Sequence, residues 1–349
     1  MRRLSLFFLL LLAAWCDAEG LSARTRTPSR LDAATVNAAE PGHASGAALI
    51  VRAEVLLDRA HFSPGAIDGV DGENFHKALA AFQQDRKLPT TGNLDPDTWA
   101  ALAATSSAPA LTRYTITAAD EGGPFVRAIP RDFRKMAKLP ALGYSGPREE
   151  LAEKFHMSEA LLRKLNPHAA FERSGTEIEV ADVAPMDLVR SGATQGAAPP
   201  PHGGADSRSD ARQAATIEVD KQARAVRAYD RDGRLLAFYP ASIGSTEKPA
   251  PSGTFKVRRV ARNPDYHYDP KFAFKGVHTR HKLTIRPGPN NPVGLVWIDL
   301  TAPSYGIHGT PDPDKVSKTA SHGCIRLTNW DALDLAAMVH PGVVVKFLD

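Results

Sequence analysis

Two stretches of this chain lack any apolar period from which a core could be built, and they divide it. Residues 19–46 are rich in Ala, Ser, Thr, Pro and Gly, and residues 183–212 include Ala197-Ala198-Pro199-Pro200-Pro201 and His202-Gly203-Gly204. Pro removes a backbone donor and Gly adds backbone freedom, so such runs read as a flexible tether and a linker. What remains must fold as separate pieces, at 47–105, 112–182 and 213–349. The length of 349 residues suits two or three units of roughly 100–200 residues each.

Composition narrows the class. With 43% hydrophobic and 23% charged residues, the chain is no wholly disordered polymer, coiled coil or multi-span membrane protein. Lys and Arg number 43 against 39 Asp and Glu, without a basic run, so no nucleic-acid partner is expected.

At the N-terminus, Arg2 and Arg3 precede an apolar stretch from Leu4 to Trp15, and small residues follow. That stretch is too short to span a bilayer, which needs about 20 residues, and it has the layout of a secretory signal peptide at 1–18, cut after Ala18. An uncleaved anchor stays open, and acylation of Cys16 is disfavoured by bulky Trp15 at a position that calls for a small residue. The expected location is exported, in the periplasm or cell envelope, with no membrane span after cleavage. Cleavage would leave Cys324 as the sole cysteine, because the other is Cys16. An exported chain with one thiol has no intramolecular disulfide to form, which directs attention to Cys324 as a reactive group.

In 47–105, Val51, Val55, Leu56 and Ala60 recur at helical spacing, as do Phe75, Ala78, Leu79 and Phe82 in a helix from about Glu73. Asp68-Gly69-Val70-Asp71-Gly72 is a turn between them. A third helix follows Asp95-Pro96-Asp97, with Asp95 as cap and Trp99 and Leu102 facing inward. Residues 66–69, 80–83, 88–92 and 98–102 together resemble the peptidoglycan-binding-1 family, with Phe75 a departure where the family more often has a small hydroxyl residue. In 112–182, Tyr114-Thr115-Ile116 and Ile178-Glu179-Val180 read as strands around helices on either side of His156-Met157-Ser158. That order resembles a lysin-motif module, apart from an insertion at roughly 121–145.

The last segment is strand-rich: Thr216–Asp220, Ala225–Tyr229, Leu295–Leu300 and Val343–Phe347, with a hairpin turn at Asp232-Gly233. One clear helix follows Asn329. The expected fold is thus multidomain: a mainly β catalytic domain, sandwich- or barrel-like with one helix, preceded by a three-helix domain and a small α+β module.

Two short runs carry chemistry, Ile307-His308-Gly309-Thr310 and Ser321-His322-Gly323-Cys324-Ile325-Arg326-Leu327. A thiol with an ordinary pKa near 8.5 is only about 3% ionised at pH 7, so a nucleophile needs an adjacent imidazole. The proline-containing loop between them is long enough to return His308 to Cys324. Gly323 permits a tight turn that aims backbone N–H groups at an oxyanion, and Arg326 offers a bidentate clamp for a carboxylate. His308, His322 and Cys324 could instead ligate zinc, but three donors without a carboxylate make a poor set. His278 and His281 read as exposed loop residues.

Taken in order, Gly244-Ser245, Pro251–Phe255, Asn291-Pro292-Val293-Gly294, Tyr305–Thr310 and Ser321–Leu327 resemble the L,D-transpeptidase catalytic domain over its full length. Ser317 departs from it, since relatives often carry Gly there. The resemblance implies Cys324 as nucleophile and His308 as general acid/base, oriented by the Gly309 carbonyl. It implies Ser321, His322, Gly323 and Gly309 around the oxyanion and pocket, with Arg326 and Tyr305 holding substrate. The implied partner is peptidoglycan: a tetrapeptide stem as donor, and diaminopimelate or a lipoprotein lysine as acceptor. With water as acceptor the protein would be an L,D-carboxypeptidase, and a non-catalytic wall-binding scaffold is the other reading. No metal or organic cofactor is implied.

Overall fold

The computed structural model describes residues 31–42, 46–186, 212–245, 248–272, 279–319 and 323–349. The signal peptide, most of the tether and linker, and His278, Ser321 and His322 lie outside the described residues.

Part of the expected tether is structured. Helix α1 (Ala33–Asn37) is closed by a reciprocal capping box, Asp32 accepting from the Thr35 N–H. Val36 and Ala39 are fully buried. Glu40 accepts from the Trp99 indole at 2.6 Å and pairs with Arg52 at 2.8 Å. A low-complexity stretch escaped detection here because two apolar side chains and one acid, rather than a period, hold it down.

The three-helix unit consists of α2 (Gly46–Arg59), α3 (Glu73–Asp85) and α4 (Pro96–Ala103). Asp95 caps α4 by accepting from the Thr98 N–H at 2.8 Å, with Pro96 at the first helical position. Leu56, Leu57, Leu79, Phe82, Trp99 and Leu102 share one core. The next unit runs β1 (Leu111–Thr115), α5 (Ala118–Gly122), α6 (Phe133–Met136), α7 (Pro147–Lys154), α8 (Glu159–Leu165) and β2 (Glu177–Ala181). Strands β1 and β2 pair antiparallel.

The C-terminal unit contains β3 (Thr216–Asp220), β4 (Ala225–Tyr229), β5 (Leu235–Pro240), β6 (Ser242–Ile243), β7 (Gly253–Arg262), β8 (Tyr266–Tyr268), β9 (Leu283–Ile285), β10 (Val296–Leu300), β11 (Gly306–His308), β12 (Ile325–Arg326), α9 (Asn329–Met338) and β13 (Val344–Leu348). One nine-stranded sheet runs β5-β4-β3-β13-β7-β10-β11-β12-β6. Its two edge strands, β5 and β6, are separated in sequence only by Ala241, so the sheet curls until its edges nearly meet. Inward residues such as Ile217, Val226, Val257, Ile298, Ile307, Ile325 and Val345 fill it, and Leu335 and Ala336 of α9 cover it. Strands β8 and β9 form a separate hairpin.

Three modules swinging on linkers is not the arrangement found, because contacts group Leu31–Asp349 into one unit. Phe238 of β5 donates its N–H to the His61 carbonyl and accepts from the Ser63 N–H, both at 2.9 Å. Its ring is buried with Phe62, Phe75 and Phe82 of the three-helix unit, and burying one such ring contributes about 1.5–3 kcal/mol. The middle unit meets both neighbours at His156, which pairs with Asp58 of α2 at 3.0 Å and stacks on Trp330 of α9 at 5.3 Å. Glu153 of α7 accepts from the Asn329 side chain of α9 at 2.9 Å.

Candidate active site

Strand register builds the site. Parallel pairing of β11 with β12 sets Ile307 opposite Ile325 and His308 opposite Arg326. Aligned pairs share a face, so His308 and Arg326 lie together, and Cys324, two residues before Arg326, is near enough for that guanidinium to act on its thiol as it does on His308. On the other side of β11, antiparallel pairing sets Trp297 of β10 opposite His308, and the two rings stack at 5.5 Å.

His308 is 5% exposed. Its Nδ1 lies 2.7 Å from the Gly309 carbonyl oxygen. A carbonyl only accepts, so Nδ1 carries the proton and Nε2 presents the lone pair. Burial, then the neighbouring Arg326 guanidinium, push His308 down to about 3. Burial raises the Cys324 thiol, opposed by the Gly306 N–H and by Arg326. Both shifts favour the neutral form, a protonated thiol beside an uncharged imidazole. The Cys324 thiol faces the Ser304 carbonyl at 3.9 Å. Burial also lowers the guanidinium of Arg326, while Asp312 and Cys324 favour its charge.

Gly323, just before the thiol, has φ of +105°, and a Cβ there would meet the Tyr305 ring at 3.0 Å. Tyr305 donates to the Pro249 carbonyl at 3.3 Å, so it ties that loop to the wall beside Gly323. Ser317 has φ of +65°, in the left-handed region that favours Gly. Here the hydroxyl has a use, accepting from Lys77 of α3 at 2.8 Å, while Arg224 holds the Ser317 carbonyl at 2.7 Å.

Sequence reasoning missed two residues. Trp297 supports the imidazole, and an alternating strand gave no sign of which neighbour it would face. Asn329, read only as a helix start, accepts from the Leu295 N–H at 3.1 Å. A Cβ on Gly309 would come within 2.3 Å of its side-chain oxygen, so the backbone beside His308 packs directly on this amide. Its amide nitrogen reaches Glu153, so one side chain joins the catalytic strand to the middle unit.

The β8–β9 hairpin forms a further wall. Tyr266 lies close enough to Cys324 that thiolate charge there opposes phenol ionisation, after burial the second cause of its raised pKa. The side chain of Asn291 holds the hairpin base by donating to the Arg286 carbonyl at 2.8 Å. Among the described residues no group of three His, Cys, Asp or Glu is placed to hold a metal ion.

A half-buried thiol, a neutral imidazole of fixed tautomer and a guanidinium near both in a curled β domain make a class of site suited to thiol acyl transfer. Comparison with known proteins finds two domains of known type. Residues 214–346 match YkuD, the L,D-transpeptidase catalytic domain, and residues 48–102 match PG_binding_1, described as "Putative peptidoglycan binding domain". "Putative L,D-transpeptidase YkuD" of Bacillus licheniformis is 33% identical over 37% of this chain and 63% of its own length. "Putative L,D-transpeptidase YkuD" of Bacillus subtilis is 30% identical over 33% of this chain and 54% of its own. A solved L,D-transpeptidase from Mycobacterium smegmatis is 24% identical, with a TM-score of 0.31 over 38% of this chain and 58% of that one. Residues 214–346 thus carry an L,D-transpeptidase catalytic domain, and a peptidoglycan-binding domain lies before it. It spans between about half and two thirds of the length of these relatives.

Proposed function

We propose that the protein is an exported L,D-transpeptidase that acts on peptidoglycan stem peptides through a Cys324 thioester, forming 3→3 cross-links or attaching a lipoprotein. The observation that carries this is the pairing of His308 with Arg326, whose guanidinium also acts on the Cys324 thiol, with the His308 tautomer set by Gly309. Because the resting pair is neutral, the thiol loses its proton to Nε2 as sulfur attacks the carbonyl of the L-centre of diaminopimelate. The C–S bond forms, the imidazolium gives its proton to the departing D-Ala nitrogen, and the amide C–N bond breaks. An acceptor amine then attacks the thioester, passes a proton to Nε2, and the thiol is regenerated with that proton. Arg326 holds a substrate carboxylate, while the backbone around Gly323, with Ser321 and His322, shapes the oxyanion site.

Mass spectrometry of purified disaccharide-tetrapeptide incubated with the protein tests the reaction. Cross-linked tetra-tripeptide dimers from the wild type but not from Cys324→Ala are the expected result. Tripeptide without dimers would replace cross-linking by hydrolysis or by transfer to another acceptor.

A further inference from the structure

The insertion at 121–145 does not belong only to its own module. Leu142 donates its N–H to the Pro287 carbonyl at 2.8 Å and accepts from the Asn290 N–H at 2.9 Å, so the insertion pairs with the loop after β9. Gly288 makes this approach possible: with φ of +139°, a Cβ there would sit 2.2 Å from the Leu142 carbonyl oxygen. The Asn290 side chain adds bonds to the Gly143 carbonyl at 3.0 Å and to Glu149 at 2.8 Å. Further along, Phe133 of α6 packs edge-on against Tyr266 at 5.7 Å and Tyr268 at 5.6 Å. Tyr266 is the hairpin residue that senses Cys324. Insertion and hairpin thus form one wall beside the thiol.

That wall is cationic. The insertion exposes Arg127, Arg131, Arg134, Lys135 and Lys138, and among the described residues only Arg134 has a carboxylate partner, Asp132 at 2.7 Å. The hairpin and its exit expose Lys271, Arg280, Lys282 and Arg286, with Lys271 and Lys282 sharing one carboxylate, Asp269. The whole chain carries only +4, so this concentration is local. Exposed charges of one sign beside a reactive group raise the local concentration of an oppositely charged ligand.

We propose that the 121–145 insertion and the β8–β9 hairpin together form a cationic rim that recognises the carboxylates of an acidic stem peptide. This rests on the catalytic reading above and extends it, because it gives the middle module a direct part in the substrate cleft.

The test uses the full chain with purified disaccharide-tetrapeptide. A thioester on wild-type Cys324 is read first. Its absence would remove the catalytic reading and the rim together. In Arg131→Gln/Lys135→Gln/Lys138→Gln, KM should rise about 5- to 20-fold at low salt with kcat within about two-fold, and the gap should close near 0.5 M salt, where charges are screened within a few ångströms. Arg231→Gln/Lys256→Gln/Lys346→Gln, an equal loss of exposed charge elsewhere, should leave KM unchanged. A stem whose carboxylates are amidated should bind the wild type as weakly as the native stem binds the rim variant. Thioester formation with an unchanged KM in the rim variant, or a KM rise that persists at high salt, would overturn the rim alone.

Discussion

Two buried polar clusters lie on either side of Asn329, and burial acts on them in opposite ways. At the active site it lowers His308 to about 3, with Arg326 reinforcing the shift. At the junction of the units it raises Glu153 to about 8 and Asp331 to about 8. The junction meets its acids with neutral partners: Glu153 accepts from Asn329 and Tyr144, and the Asp331 carboxyl accepts from Ser63. The site favours a neutral, half-buried thiol and a neutral, buried imidazole. The same desolvation penalty therefore favours an uncharged thiol and imidazole in one cluster, and uncharged, hydrogen-bonded acids between the units in the other.

The sharpest way to separate the clusters is Cys324→Ala. It should lower acyl transfer by at least ~10³-fold, since it removes the thiol on which the proposed thioester forms, while shifting the melting midpoint by less than about 2 °C. Loss of folding in this variant would mean that the site and the junction are not energetically distinct.

Asn329→Ala should do the opposite and damage both. It leaves the Leu295 N–H without its side-chain acceptor and Glu153 with only the Tyr144 hydroxyl as donor, at about 1–3 kcal/mol each. Urea unfolding should show that loss, and the rate of thioester formation should also fall as the Gly309 carbonyl shifts. Destabilisation with an unchanged rate would show that Asn329 serves only the junction.

pH should divide the clusters by sign. Glu153 and Asp331 are raised in the folded state, so their stabilisation is full below the unfolded carboxylate range and is lost as pH rises toward about 8. Raised His156 contributes in the same direction, as stability lost while pH rises past its ordinary value. His308 is lowered, so its contribution is present above about 6.5 and is lost as pH falls toward about 3. Glu153→Gln should flatten the fall in melting midpoint between pH 5 and pH 8. His308→Gln should leave that fall intact but relieve the loss below pH 6.

The smallest expected effect lies in the pH–rate profile. Thioester formation should hold nearly level from pH 7 down to about 4.5, where an ordinary histidine would be almost wholly protonated. An acid limb centred near 6.5 would contradict the buried, neutral imidazole.

The contrast also explains what could be read from sequence. Strands β3 and β4 alternate, α3 carries its period and α4 its cap in consecutive residues, so local pattern reveals them. The ten-residue β7 escaped because it exposes Lys256, Arg258 and Arg259 and carries a register shift against β10. Strands β11 and β12 are too short to show a period, and only the chemistry of His308 and Cys324 drew attention to them. The junction was hidden for a different reason. Phe62, Phe238 and Trp330 look like core residues of their own units, and nothing in a linear pattern says that a core is shared. The same holds for Leu142 and Gly288, which meet only because two loops distant in sequence run side by side.

Intact-protein mass spectrometry during turnover of a disaccharide-tetrapeptide tests the central claim most directly. The account predicts a wild-type adduct equal to the muropeptide less D-Ala, localised to Cys324, absent from Cys324→Ala, and discharged on adding an acceptor amine. Release of D-Ala without that adduct, or equal release by Cys324→Ala, would contradict it.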